Sequence, residues 1–414
     1  MIIDRIKSQR KDLETLPENY RKRTKELVLE PASLITVVIG PRRAGKSTFI
    51  INSLKDKKFG YANFDDELLT AVANYDDITG AINQVYDNPE LLFFDEIQNL
   101  PGWELFVNRL HRQGKKLVIT GSNSNLLSGE LATHLTGRYI PVNIFPFSFT
   151  EYLVENPALL SSQELMNSLM AYLQTGGFPE VVTGKNTSGD YLRILHDSII
   201  FKDIIKRYSL RKFDGLIDLA RYLVNNSATE ISDNQLAGVL NLSVHTVKRF
   251  LNYLENAFLL FRIERFSYKM KERIKYNKKI FVFDTGFITS LSTQYSANLG
   301  RYFETLVGIV LKKEALDGTG EVFYYRNAQN EEVDFVIKKG LEVVELIQVS
   351  YSIENHKTLE REVRSLIKAG KELNCNNLTL LNSTTIDQRD YTWFGTKGTI
   401  RFKRLDQWLL ERGG

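Results

Sequence analysis

Eight consecutive residues, Gly40-Pro41-Arg42-Arg43-Ala44-Gly45-Lys46-Ser47, have the types and spacing to hold a triphosphate. Glycines at either end let the backbone curl until its N–H groups face an anion, and a helix expected from about Ser47 would add its N-terminal dipole. Lys46 would neutralise the β- and γ-phosphates, and the Ser47 hydroxyl would enter the shell of a Mg²⁺ ion, with Thr48 next on the helix. A second stretch supplies acids. In Leu91-Leu92-Phe93-Phe94-Asp95-Glu96 four bulky apolar residues end in two carboxylates. Such a run suits a central parallel strand, and its acids would emerge at the strand's C-terminal end, where open α/β sheets place ligands. Asp95 would hold the Mg²⁺ shell through water, and Glu96 would orient and polarise the water that attacks the γ-phosphate. Residue types in this order point to an ATP site with Mg²⁺ as its cofactor.

Two further positions extend that site. Lys116 to Asn123 again reads as a strand closed by small polar residues, so Ser122 or Asn123 could hydrogen-bond the γ-phosphate or the lytic water; the plainer alternative is a Ser/Asn turn. Arg138, after a helix expected to reach Leu135 and before an extended segment at Tyr139, would lie away from the phosphates of its own chain. It suits a neighbour's site as an arginine finger, or else it complements the dipole of its own helix.

The elements around these residues follow from pattern. Leu34 to Ile39 reads as a buried strand feeding the glycine loop, and Phe59 to Phe64 as a second strand ending in Asp65-Asp66. Arg21-Lys22-Arg23 forms a basic patch, either a solvated face or a face near the nucleotide. At 414 residues the chain has room for several domains, and with 25% charged and 43% hydrophobic residues it reads as globular. No apolar run is long enough to cross a bilayer, and Met1 to Arg5 lack the apolar core of a signal peptide. A single cysteine, Cys375, rules out an intrachain disulfide and a cysteine metal cage, so a cytoplasmic location is expected. The net charge of +4 permits a nucleic-acid partner without requiring one.

Past residue 150 the pattern turns helical, at 163–174 and 191–208. Helices are then expected at 215–224, 232–240 and 243–256, the last two joined by the short Asn241-Leu242 turn, with Ser243 as an N-cap. The last helix would present His245, Lys248, Arg249 and Asn252 on one face and Val247, Phe250, Leu251 and Leu254 on the other. After an apolar strand at 258–261 come Arg262, Arg265, Lys269, Lys271, Arg273, Lys275, Lys278 and Lys279, opposed along the chain by Glu264 and Glu272. This resembles a winged helix whose basic segment is the wing. Its bases and interleaved aromatics suit phosphate and sugar contacts, with Lys248, Arg249, Arg265, Lys269, Lys271, Arg273 and Lys275 as the candidates. A protein-docking module with a solvated basic face is the alternative.

Residues 298 to 390 follow a helix, strand, strand, strand, helix order, with Glu304 in the helix, Asp334 in the middle strand and Gln348-Val349-Ser350 on the next. This resembles the core of restriction-endonuclease-like nucleases, with Gln348 in place of the expected acid and Ser350 in place of the lysine. One carboxylate is then left where metal-assisted hydrolysis needs more, and nuclease activity is not expected.

With GPRRAGKS, LLFFDE, TGSNS, TGR and the following Phe145 to Tyr152 in this order, and Thr175-Gly176-Gly177-Phe178-Pro179-Glu180 further on, the chain resembles a bacterial or archaeal AAA+ family. Its members join an N-terminal ATPase to a C-terminal region of unknown function. The resemblance implies an α/β architecture: a P-loop AAA+ parallel sheet domain at 1–149 and a helical lid at 150–212. A winged-helix domain at 213–290 and a degenerate restriction-endonuclease-like domain at 291–414 would follow. The expected activity is that of an ATP-hydrolysing AAA+ ring motor, a homo-oligomer and in particular a hexamer, acting on DNA, forked or branched DNA included, in the manner of a helicase or translocase and without a membrane partner. The alternative is a nucleotide-dependent switch or signalling ATPase that binds protein partners. A defence or toxin-linked nuclease is opposed by the missing lysine.

Overall fold

In the computed structural model, residues 1–14, 20–31, 33–124, 137–154, 156–184, 187–292, 298–393 and 395–413 are described. The helix expected up to Leu135, with Thr136 after it, falls outside them. The chain divides into two compact units, Met1–Pro146 with Asn256–Phe258, and Phe147–Glu255 with Leu259–Gly414.

The first unit is built on β1 (Ile35–Ile39), β2 (Phe59–Asn63), β3 (Leu91–Asp95), β4 (Lys116–Gly121) and β5 (Tyr139–Asn143). All neighbours are parallel, in the order β2-β3-β4-β1-β5. β1 and β3 are buried at every position, as their apolar runs require of strands covered on both faces. Val38, Phe93 and Val118 from three adjacent strands pack with Phe49, Ile50 and Leu54 of the helix Lys46–Leu54. Because β4 lies between β1 and β3, the loop after β1 and the acids after β3 are separated by two strand spacings, roughly 10 Å. Side chains from both ends bridge that gap: Ser47 is hydrogen-bonded to Asp95, and Lys46 lies 3.9 Å from Glu96.

The second unit opens with helices. Ser148 with Glu151 and Ser161 with Glu164 form capping boxes, which fix the starts of Phe149–Tyr152 and Ser162–Thr175. Ser188–Ser198 continues as π-helical Ile199–Lys206, so the second helix expected in the lid changes its hydrogen-bond pattern midway. Then come Asp214–Asn225, β6 (Thr229–Ile231), Asp233–Leu240, Val244–Asn256, β7 (Leu260–Arg265) and β8 (Lys278–Val282). The Ser243 hydroxyl accepts the Thr246 N–H at 3.0 Å, the expected cap. Phe258 takes a left-handed φ of 55°, and the strand after it begins at Leu260, two residues later than its apolar run suggests. The basic stretch between β7 and β8 contains a short helix, Met270–Lys275.

β6, β7 and β8 share a nine-stranded mixed sheet with β9 (Glu321–Arg326), β10 (Glu332–Lys339), β11 (Glu342–Val349), β12 (Leu378–Asn382), β13 (Asp387–Trp393) and β14 (Thr396–Arg404). The order is β13-β14-β12-β11-β10-β9-β7-β8-β6. β7 pairs parallel to β9 through Glu264 opposite Phe323 and Arg265 opposite Tyr324, so the sheet runs unbroken past the boundary expected near residue 290. Leu299–Leu316, β9, β10, β11 and His356–Glu372 give the helix, three strands, helix order read from the sequence. Their core includes Phe323, Val336, Leu346, Leu366 and Leu380. No helix among the described residues is long and apolar enough to cross a membrane.

Candidate nucleotide site

The glycine loop leaves β1 and turns directly into Lys46–Leu54. Gly40 has φ 153°, and a Cβ added there would stand 1.8 Å from the Ile144 carbonyl oxygen. Gly45 caps the helix at φ 89°, ψ 24°, a left-handed conformation that glycine adopts without strain. Lys46 is 4% exposed and folds back over the loop, its Nζ donating to the carbonyls of Gly40 at 3.1 Å and Pro41 at 2.9 Å. Its ammonium also lies 3.9 Å from Glu96 Oε1.

The carboxylates at the end of β3 are held from three sides. Asp95 accepts from Thr120 Oγ1 at 2.5 Å and from the Tyr61 hydroxyl at 3.2 Å, and it is hydrogen-bonded to the Ser47 side chain. Burial, with the Glu96 charge added, raises the Asp95 carboxyl above its ordinary range against the opposing pull of Thr120, Ser47 and Lys46. Glu96 sits at φ 51°, ψ 43°; its N–H donates to Thr120 Oγ1 at 2.8 Å and its Oε2 accepts from Gln98 Nε2 at 2.5 Å. Burial works to raise Glu96 too, but Lys46 and Arg42, with hydrogen bonds from Gln98 and Ser122, outweigh it and hold the carboxyl below its ordinary value. Glu96 is therefore the more acidic member of the pair. The Ser122 side chain is hydrogen-bonded to Glu96, and Asn123, two residues past β4, is fully buried.

The sequence comparisons bear on this geometry. Residues 32–153 match the family model of an AAA domain. Residues 166–298 and 299–394 match two domains of unknown function, DUF8612 and DUF4143. The uncharacterized protein MJ1544 of Methanocaldococcus jannaschii is 35% identical over 86% of this chain and 82% of its own length. An uncharacterized protein of Haemophilus influenzae is 30% identical over 81% of this chain and 86% of its own. The chain belongs to the AAA family of P-loop ATPases. Among solved structures, the Walker-type ATPase PABY2304 of Pyrococcus abyssi aligns over 70% of this chain and 95% of that one, at 16% identity and a TM-score of 0.40.

In this AAA ATPase the donors present fit a Mg²⁺-nucleotide. Ser47 and Asp95 offer hard oxygens within hydrogen-bonding reach of each other, and the absence of a side chain at Gly40 lets the loop lie against the Ile144 backbone. The nucleotide supplies the phosphoanhydride bond and the metal supplies charge neutralisation. Loop residues 40–47 with Thr48 would hold the phosphates, and Lys46 would exchange its loop carbonyls for them.

Three groups in this site escape a reading of motifs. Thr120 is fully buried and ties both acids together, accepting from the Glu96 N–H while donating to Asp95. Tyr61, on the adjoining strand β2, gives Asp95 a second donor. Arg23, from the basic patch, is buried, and its guanidinium donates to the Ala44 carbonyl inside the loop and to the Phe145 carbonyl at 3.0 Å. Arg23 thus braces the phosphate loop from behind, and the solvated reading of that residue does not hold. Its sequence signal was only one of three adjacent bases.

Arg138 is exposed at the entry to β5. Tyr139 after it pairs with Ile35, whereas the loop departs from Ile39, which pairs with Asn143. Arg138 and the loop therefore lie at opposite ends of the same strand pair, roughly 13 Å apart along the strands.

The candidate nucleic-acid residues lie in the second unit, and several are engaged internally. Arg273 pairs with Glu264 at 3.2 Å and lies over the Phe323 ring; Arg265 lies over Tyr276 and donates to the Arg326 carbonyl at 2.5 Å. Lys269 pairs with Glu272 at 3.3 Å and Lys248 with Asp233 at 3.9 Å. Arg249, Lys271 and Lys275 are exposed and have no ion pair among the described residues. The expectation that Asp334 stands as one remaining carboxylate is corrected: Glu304 and Glu332 join it around a buried lysine, Lys279. Glu345 bonds Thr379 and Arg412 and takes no part, as its strand position requires.

Proposed function

We propose that this AAA ATPase hydrolyses ATP in an oligomeric ring, a hexamer, with Arg138 of each subunit completing its neighbour's site, and that the ring acts as a motor on DNA, forked or branched DNA included. The observation that carries the DNA reading is the helix Val244–Asn256. It buries Val247, Phe250, Leu251 and Leu254 and exposes His245, Lys248, Arg249 and Asn252. From Asp214 to Val282 the elements run helix, strand, helix, helix, strand, short helix, strand, with β6 antiparallel to β8 and β8 to β7, an order that supports a winged helix with a helical insertion in its wing. A polar cleft of about 280 Å³ beside it is lined by Asn234, Lys248, Arg262, Lys275, Asn277 and Lys278, and also by Asp233. Side chains of this kind suit phosphate rather than base edges, so the binding is to backbone and shape. We read residues 291–414 as a nuclease-like fold without nuclease activity, on the order of its elements and on Gln348 and Ser350.

Steady-state ATP turnover with duplex, forked and junction DNA tests the reading. DNA should raise turnover, and Lys271→Glu with Lys275→Glu should abolish the increase while leaving basal turnover intact, because neither lysine has an ion pair among the described residues. No response to any of these DNAs would sink the motor. The trans finger has its own test. Lys46→Ala and Arg138→Ala chains should each be inactive, whereas a 1:1 mixture should recover activity at about a quarter of the sites, those pairing an intact Lys46 with a neighbour's intact Arg138. A mixture as inactive as its parts removes the finger.

The second reading, a nucleotide switch that binds a protein partner, is favoured by Tyr268, Met270 and Ile274, three large apolar side chains left exposed beside these bases. Rapid hydrolysis without any partner would count against it.

A further inference from the structure

Lys279 lies on β8, three strands from β10 in the sheet, yet its ammonium reaches the carboxylates of β10. The side chain passes near the Tyr324 ring of β9, with Nζ 5.8 Å from the ring centroid. Nζ lies 2.7 Å from Glu304 and 3.2 Å from Asp334, and Glu332 is its third partner. Glu332 and Asp334 are two apart on one strand and so share a face, while Glu304 comes from the helix Leu299–Leu316. The ladder between β9 and β10 is irregular between Val333 and Val336, a distortion of the kind that re-aims side chains, and Asp334 lies within it.

We propose that the Lys279 ammonium is the resident cation of this centre, standing where three carboxylates converge and closing the centre to divalent metal. An ammonium has three N–H donors, and it meets three carboxylates. Lys279 is 3% exposed, so water does not compete for those donors. The Glu304 and Asp334 oxygens stand at hydrogen-bond distances from nitrogen, 2.7 and 3.2 Å, longer than a Mg²⁺ bond of about 2.0–2.1 Å. Among the described residues no group of three or more acidic, histidine or cysteine side chains is arranged to hold a metal ion. Two of the carboxylates have further partners. Asp334 Oδ2 accepts the Val349 N–H at 2.9 Å, and Arg326 shares Glu332. Gln348, where an acid was expected, accepts the Asp334 N–H at 3.3 Å and donates to Glu362 at 2.6 Å, which completes a closed network. The lysine that the local sequence pattern lacks is thus supplied from a distant strand, in the position of the metal.

This centre is independent of the nucleotide site and of the DNA reading. Its test is a Mn²⁺ titration of the full nucleotide-free chain, followed by electron paramagnetic resonance of free Mn²⁺ and by thermal melting. Wild type should hold no stoichiometric Mn²⁺ at this centre and its melting temperature should not respond. Lys279→Met should take up one Mn²⁺ per chain, at least ~10-fold more tightly than wild type, and should melt higher with the ion than without it. Adding Asp334→Asn to Lys279→Met should abolish that uptake, and Lys279→Arg, which keeps the charge, should stay closed. If Lys279→Met folds poorly without metal, its folded yield with and without Mn²⁺ gives the same reading. Wild type that binds Mn²⁺ through Asp334, or a Lys279→Met chain indifferent to Mn²⁺ in uptake, melting and yield, overturns the proposal.

Discussion

Glu96→Gln should yield a chain that still binds ATP but hydrolyses it at least ~100-fold more slowly, the scale of a lost general base. The substitution keeps side-chain size, and it leaves the backbone N–H bond to Thr120 available. It removes the carboxylate that Lys46, Arg42, Gln98 and Ser122 together hold below its ordinary range against burial. Asp95 cannot stand in, because burial and the neighbouring charge bias it toward protonation and its oxygens are engaged by Thr120, Tyr61 and Ser47. Lys46 also interacts with Glu96, so engaging that ammonium elsewhere would make Glu96 a stronger base at the moment it is needed. Binding of a fluorescent ATP analogue, measured beside single-turnover hydrolysis, separates the two effects. Lys46→Ala should instead weaken binding, because it takes away the phosphate's counter-charge. Near-normal turnover by Glu96→Gln would remove Glu96 from the role.

What could be read from the chain in advance was whatever contiguous residues determine among themselves. The loop from Gly40 to Ser47 and the strand ending at Asp95 declare themselves because a glycine turn, a buried strand and two acids all lie within a few positions. The amphipathic helix at 244–256 was equally legible, since its two faces follow from a 3.6-residue period. Thr120 was not, because its link to Asp95 depends on parallel register: Ile119 lies opposite Phe94, which brings the next residue of each strand together. Arg23 reaches carbonyls 21 and 122 residues away. Lys279 was counted among solvated bases of a wing because Glu304 and Asp334, its partners, are 25 and 55 residues downstream. A run of charges in sequence thus says little about net charge in space. The carboxylates that neutralise it arrive through a sheet order, β10-β9-β7-β8, that no local pattern encodes.

The stretch Thr175-Gly176-Gly177-Phe178 carried no role in the sequence, and the structure gives it one that pH should expose. Asp284 is buried and accepts the N–H groups of Gly177 at 2.8 Å and Gly286 at 2.9 Å. Gly176 has φ 73°, and a Cβ there would stand 1.9 Å from Asp284 Oδ1. Gly177 in turn accepts the Phe147 N–H at 2.7 Å, which ties the entry of the second unit to this carboxylate. Burial pushes the Asp284 carboxyl up to about 6, against the lowering effect of its two N–H partners. An unfolded aspartate loses its proton near its ordinary value, so between about pH 4 and pH 6 the unfolded chain has released a proton that the folded chain keeps. The stability contributed by this protonated group is then fully present below pH 4 and is lost as pH rises through 6, on the order of 3 kcal/mol for two pKa units. Asp284→Asn has the same size and does not titrate. Urea unfolding of both proteins from pH 4 to pH 7 should show wild type losing about that much stability relative to the variant, while the other carboxylates cancel in the comparison. Asp284→Ala should be destabilised at every pH, by about 2–4 kcal/mol, because two buried N–H groups lose their acceptor. A wild-type minus Asp284→Asn difference that stays flat across this range would mean that the carboxylate is ionised in the fold and that its two N–H partners, rather than burial, set its charge.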